Sequence, residues 1–279
     1  MLERFGTSLR IGISPAGLCL LRVRRWRGAP LTLLAEAACV PGDGLPHQAI
    51  APALTALLAG QNLAGHSVSF VLADELTRLW QVTPPPGAAR LADLEGAAAL
   101  RFQSLYGEAA SGWKTMADWQ AGAPFFAAAV PLPLLAVLEQ AAAEHKFAIV
   151  EIVPHFIAAW NRWRRALADG AWFGVLHDGL LTVGIVAAAR LHAVRLLPVP
   201  HGADGYWLKQ VVQREALLAG VEAPALLQVA GTPPAAMTAA DAGKGGVRCV
   251  ALTPSGGAGA IGDGALPSAA QLARAGSFA

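Results

Sequence analysis

Charge is scarce in this chain. Only 14% of its 279 residues are Asp, Glu, Lys or Arg, and the formal net charge is +2; ordinary soluble proteins carry about 25%. With no broad field of one sign, a basic nucleic-acid-binding tail protein is excluded. A hydrophobic share of 54% equally excludes a disordered chain. Cysteine is nearly missing: Cys19, Cys39 and Cys249 form no CxxC spacing and read as reduced, buried thiols of a reducing compartment. The seven histidines (His47, His66, His145, His155, His177, His192 and His201) show no i+3 or i+4 pair and no HExxH, so no metal site is expected. Neither Ser14 nor Ser255 sits in a GxSxG elbow, which leaves a serine hydrolase unsupported.

A membrane span is also missing. Mean hydropathy of +0.45 invites one. Trp119 to Leu138 is uncharged over twenty residues, about the length of a spanning helix. Pro124, Pro131 and Pro133 break that stretch into a strand, Pro124 to Val130, and a helix entered at proline. Pro52, Gly60, Gln61, Asn62 and Gly65 likewise divide the uncharged run from Gly44 to Ala73 into helix, loop and strand. The opening MLERFGTSLRIGI carries Glu3 and no apolar core of a secretory signal. The expected place is the cytoplasm, docked to a membrane complex at most and not inserted.

What is present is a repeated pattern. Leu9 to Ser14, Leu18 to Arg25 and Leu31 to Val40 read as a three-stranded meander, turning at Pro15-Ala16-Gly17 and at Arg27-Gly28-Ala29-Pro30. A helix (His47 to Ala59) and a buried strand (Ser67 to Leu72) follow, then a strand-like run from Leu76 to Thr83. The middle holds a helix over Arg90 to Tyr106, with Leu91, Leu94, Ala98, Phe102 and Leu105 in a helical rhythm closed by Gly107. Short strands at Trp113 to Trp119 and Pro124 to Val130, a helix (Leu132 to His145), a strand (Ala148 to Val153) and a helix from Pro154 to Leu167 come next. Then the opening recurs: Trp172 to His177, the turn Asp178-Gly179, Leu180 to Val186, a turn at Ala187 to Ala189, and Arg190 to Leu197. A helix (Ala203 to Ala219) and strands at Ala225 to Ala230 and Val247 to Leu252 follow, and Thr253 to Ala279 reads as a flexible Gly/Ala-rich tail.

Strand-strand-strand-helix-strand, twice, describes an α/β molecule of two lobes with a cleft between them, each lobe a mixed sheet with helices on both faces. That is the pattern of the actin-like, or duplicated ribonuclease-H-like, fold. Within it the chain resembles the PilM-like pilus-assembly proteins and the cytoplasmic parts of their GspL and MshI relatives. The resemblance is carried by RIGISPAGLCLLRV, LRFQSLYG with GWKTMADW, FAIVEIVPHFIAAWNRWRRAL and WFGVLHDGLLTVGIVAAARLHAVR, over roughly residues 8 to 230. The expected division is a first lobe over 1–153 with an insert about 88–130, a second lobe over 154–252, and the tail over 253–279.

The resemblance implies two phosphate loops and an adenosine-side double glycine, and this chain departs from all three. Such loops use glycine for close backbone approach to phosphate and an acid for Mg²⁺. At the first, Gly12 and Ser14 fit, but Arg10 stands where the acid belongs and no lysine follows among Gly17, Leu18 and Cys19. At the second, Asp178 and Gly179 are present with Thr182 beyond, on a turn too short to wrap a phosphate. The double glycine is reduced to Ala230-Gly231. The candidate cofactor residues are thus Gly12, Ser14, Asp178, Gly179, Thr182 and Gly231, with no catalytic residue, no metal site and no cofactor expected.

Other features have a plain reading beside a functional one. Asp74-Glu75 is a strand-end turn or a carboxylate pair; the turn is preferred. The tail's SGGAGAIGDG lacks the strand-to-helix context of a phosphate cradle. Phe156, Trp160, Trp163 and Leu167 form a stripe that packs inward, with Arg162 and Arg165 solvated, or that meets nucleic acid or a partner. Arg22, Arg24, Arg25 and Arg27 around Trp26 touch anionic lipid or are a solvated hairpin tip.

The expected function is a non-catalytic scaffold, a pseudo-ATPase at the inner face of the inner membrane in a pilus-like or type II secretion-like assembly platform. Its expected partner is the cytoplasmic segment of an inner-membrane assembly protein, with no nucleic acid and no membrane anchor of its own. The competing expectation is an active actin-like ATPase that binds ATP and Mg²⁺. A third is a partner-binding module of other biology that kept only the fold.

Overall fold

The computed structural model describes residues 7–24, 31–40, 42, 44–188, 190–239, 246–253 and 267–275. Strand β1 (Thr7–Ile13) shows how the first lobe is built. Alternate residues of a strand face opposite sides. Leu9, Ile11 and Ile13 therefore enter one core with Ile50, Leu54 and Leu57 of helix α1 (Pro46–Leu58), while Arg10 and Gly12 face the other way. Strand β2 (Gly17–Arg24) divides likewise: Leu18 and Leu20 join that core, and Cys19 and Leu21 turn to the opposite face.

With β3 (Thr32–Ala38), β4 (Ser67–Leu72) and β8 (Ala148–Pro154) these strands make a sheet ordered β3-β2-β1-β4-β8. The meander is antiparallel and the pairs β1–β4 and β4–β8 are parallel. The second lobe repeats the order as β11-β10-β9-β12-β13, from β9 (Trp172–His177), β10 (Leu180–Ala187), β11 (Arg190–Pro198), β12 (Leu226–Ala230) and β13 (Arg248–Ala251). Helix α5 (Gly205–Ala219) stands where α1 stands in the first lobe, and the one-turn helix α6 (Ala235–Thr238) lies between β12 and β13. Asp204 caps it, its carboxylate accepting from the Trp207 N–H at 2.9 Å.

A third sheet, ordered β5-β7-β6, interrupts the first lobe. It comprises β5 (Arg78–Val82), β6 (Trp113–Ala117) and β7 (Phe125–Pro131), covered by helix α2 (Leu91–Tyr106). Trp80, Phe102 and Phe125 anchor its own core, with Trp80 edge-on to Phe102 at 5.1 Å. Helix α3 (Leu132–His145) returns the chain to β8.

Several expectations shift in detail. Residues Asp74–Leu76 form a 3-10 turn, so β5 begins at Arg78 and not at Leu76. The helix after β8, α4 (His155–Trp163), stops short of Leu167 because Arg164 to Ala166 turn out of it. The aromatic stripe packs inward: Phe156 is fully buried and stacks on Trp160, and both meet Phe173 of β9. Arg162 is not a solvated side chain, since it is half-buried and stacked on Trp163 at 5.3 Å. Arg22 is exposed, while the Arg24 side chain and the turn at Arg27 to Pro30 lie outside the described residues.

The expected flexible tail fails at residues 268–275, which form helix α7 (Ser268–Ala275). Its small residues are the reason. Ala269, Ala270 and Ala273 settle on Cys19 and Leu21, and Leu272 reaches the α1-side core. A Cβ on Gly12 would stand 2.0 Å from the Ala269 carbonyl oxygen, so only glycine lets the helix sit this close to β1. The whole of SGGAGAIGDG lies outside the described residues.

Candidate functional site between the lobes

The turns β1–β2 and β9–β10 carry the candidate phosphate-loop residues, and Ser14 lies close enough to Asp178 to lower the pKa of its carboxyl. The first spans Ser14 to Gly17 and is closed on itself. The Ser14 N–H donates to the Gly17 carbonyl at 2.9 Å, and the Gly17 N–H donates to Ser14 Oγ at 3.2 Å. The donors that a phosphate loop aims at its ligand are thus used inside the turn. In the second turn Asp178 has φ +46° and Gly179 φ +71°, the two left-handed residues of a type I′ hairpin.

Side chains tie the second turn to helix α7, which packs on β1 and β2. Asp178 pairs with His177 Nε2 at 3.1 Å and accepts a hydrogen bond from the Ser268 hydroxyl of α7. The His177 hydrogen bond, then those of Ser268 and Ser14, pull its carboxyl below the usual range against an opposing effect of burial. Asp178 and Ser268 therefore meet beside the second turn, near Ser14 of the first. His155 lies edge-on to His177 at 5.5 Å. Burial, reinforced by His177, pushes the His155 pKa down to about 3, so the ring is neutral.

Asp74 is the second tie between lobes. It follows β4 at the carboxyl end of the sheet, beside the start of α4. Pro154 at the N-cap of α4 has no acceptor side chain, and Asp74 supplies one: its Oδ1 accepts from the Phe156 N–H at 2.8 Å. Its Oδ2 accepts from the Thr182 hydroxyl of β10 at 2.7 Å. Burial raises its pKa to about 6, opposed by those two hydrogen bonds. Arg10 lies in one row with Ser69 and Glu151 across β1, β4 and β8. Burial lowers its pKa to about 10, while the charge of Glu151 opposes the shift. Among the described residues no group of three or more His, Cys, Asp or Glu side chains is placed to hold a metal ion.

No family model matches the chain, and no curated protein matches its sequence. Solved structures do. A protein with actin-like ATPase fold from Bacteroides thetaiotaomicron VPI-5482 matches with a TM-score of 0.62 at 11% identity, over 97% of each chain. The fold is actin-like. The cytoplasmic domain of EpsL, an inner membrane component of the type II secretion system of Vibrio cholerae, matches with a TM-score of 0.57 at 15% identity, over 96% of this chain and 93% of that one. The PilM-PilN type IV pilus biogenesis complex overlaps more partially, with a TM-score of 0.47 at 18% identity over 77% of this chain and 67% of that one.

The candidate residues fall into two groups within this actin-like frame. Ser14, Asp178 and Gly179 belong to the two turns, and Gly12 lies under α7. Thr182 is turned to Asp74 instead. Gly231 has φ +113°, and a Cβ there would stand 2.5 Å from the Leu176 carbonyl oxygen, so its glycine is explained by packing on β9. Asp74 does lie in a turn, but its carboxylate joins the lobes, a role the sequence reading missed. A polar residue at the carboxyl end of the apolar strand SVSFVL was the available signal. Ser268 was missed because it lies in the presumed tail, and His155 and His177 because 22 positions separate them.

Proposed function

We propose that this chain is a non-catalytic cytoplasmic adaptor of an inner-membrane assembly platform of the type II secretion or pilus kind, an actin-like protein that does not turn over ATP. The observation that carries the reading is the contact of Asp178, in the second turn, with Ser268 of α7, close to Ser14 of the first turn. A nucleotide's phosphates would need that ground and the N–H groups already used by Ser14 and Gly17. Likeness to the EpsL cytoplasmic domain supports the setting. No helix among the described residues is long and apolar enough to cross a membrane. The partner proposed is the cytoplasmic segment of an inner-membrane assembly protein, in line with the likeness to the EpsL cytoplasmic domain.

The test is cross-linking of the tagged chain in the cell that makes it. Enrichment of inner-membrane secretion or pilus assembly components is expected. Recovery of soluble proteins alone, with those components present but unlinked, contradicts the adaptor reading.

A further inference from the structure

Helix α7 follows β13 of the second lobe in sequence, yet it packs on the first lobe. Ala269, Ala270 and Ala273 lie on Cys19 and Leu21 of β2, and Leu272 enters the α1-side core. At its start the Ser268 hydroxyl donates to Asp178, in the turn of the second lobe. In its last turn the Arg274 carbonyl accepts from Arg162 of α4 at 3.5 Å. None of residues 268–275 is exposed. The helix therefore lies between the lobes, where it covers Gly12 and engages Asp178, two of the candidate residues.

Its two sides are held unequally. Toward β1 the packing is so close that it requires glycine at position 12. Toward the second lobe, Gln271, Arg274 and Ala275 border a cavity of about 70 Å³ whose other walls include Leu176, Gly231 and Thr232. A space of that size beside polar side chains admits water. Eight residues do not hold a helix in water by themselves, so α7 is helical because it is seated. The seat buries one leucine and three alanines, a small return against the ordering of eight residues. Releasing α7 thus costs less than unfolding either lobe, whose strands are laddered by backbone hydrogen bonds.

We infer that α7 is a releasable cover of the candidate site. It leaves and reseats as one unit while both lobes stay folded, and its release uncovers Gly12 and Cys19 and frees Asp178. Residues 252–267 tether it to β13, so reseating is intramolecular. Release of the cover is independent of the proposed adaptor role.

Cys19 reports the release, because its side chain is fully buried beneath the helix. The experiment is alkylation of the native full chain with iodoacetamide, followed at Cys19 by peptide mass spectrometry as urea is raised toward the unfolding transition. Cys19 is expected to react below the transition, but far more slowly than in the unfolded chain. Its rate rises with urea much less steeply than the unfolded population does, since freeing one short helix exposes little surface. Ser268→Ala, which removes the tie to Asp178, is expected to speed the reaction about fivefold. Ala270→Glu, which places a charge in the fully buried seat, is expected to speed it at least about tenfold. Tryptophan fluorescence through the urea transition checks that both variants remain folded. Reaction of Cys19 only in step with global unfolding overturns the inference. So does reaction at the unfolded-chain rate without urea, or unchanged protection of Cys19 in both folded variants.

Discussion

Asp74 accepts hydrogen bonds from two places far away in sequence, the Phe156 N–H and the Thr182 hydroxyl. Replacing it by alanine leaves both donors without their partner in a partly buried setting, at a cost of about 1–3 kcal/mol. Asp74→Ala is therefore expected to unfold at lower urea than the parent, while Asp74→Asn, which keeps one acceptor, loses less. The pH dependence has a definite sign. Because the folded pKa is raised to about 6 from 3.8, the parent holds a proton there that the unfolded chain has released. Its advantage over Asp74→Asn is greatest below about pH 4 and declines as pH rises through about 6. His155 works the other way. Its folded pKa is lowered to about 3 from 6.5, so stability is full above about pH 6.5 and falls on acidification, by about 1.4 kcal/mol per pH unit between those values. His155→Gln is expected to flatten urea midpoints over that range, and an unchanged slope contradicts the assignment.

Helix α7 is where the sequence reading was weakest. The strands and the helices α1, α2 and α5 were legible because their apolar residues recur at periods of two or near 3.6, and their ends carry Pro, Gly or Asp. Helix α7 buries mostly alanine, which reads as neither core nor surface, and it follows a glycine-rich stretch resembling a linker. Its place depends on Gly12, whose missing Cβ shows only in three dimensions. Gly12→Ala drives a methyl against the Ala269 carbonyl and is expected to cost about 3 kcal/mol, the upper part of the usual range for overpacking. Leu272→Ala, which empties a fully buried site, is expected to cost about 2–5 kcal/mol. Both are read from urea denaturation. If neither shifts the midpoint, α7 does not pack on β1 as described.

At the scale of the whole molecule, two lobes of identical strand order were readable from the repeated meander. The cleft's condition was not, because it depends on which side chains from Ser14, Asp74, Asp178 and Ser268 meet. The sequence did register the departures from a nucleotide site: Arg10 in place of an acid, and a two-residue turn at Asp178-Gly179. The structure adds that these positions are engaged elsewhere, Arg10 in a buried row with Glu151 and Asp178 in the tie to α7. The proposed absence of ATP turnover rests on Asp178 and Ser268 holding the ground beside the two turns. The most direct measurement is a thermal-unfolding titration of the full chain with Mg-ATP at millimolar concentration. No resolvable change in Tm is expected up to that concentration. A saturable rise of several degrees, reflecting a ligand that binds the folded state alone, would contradict it.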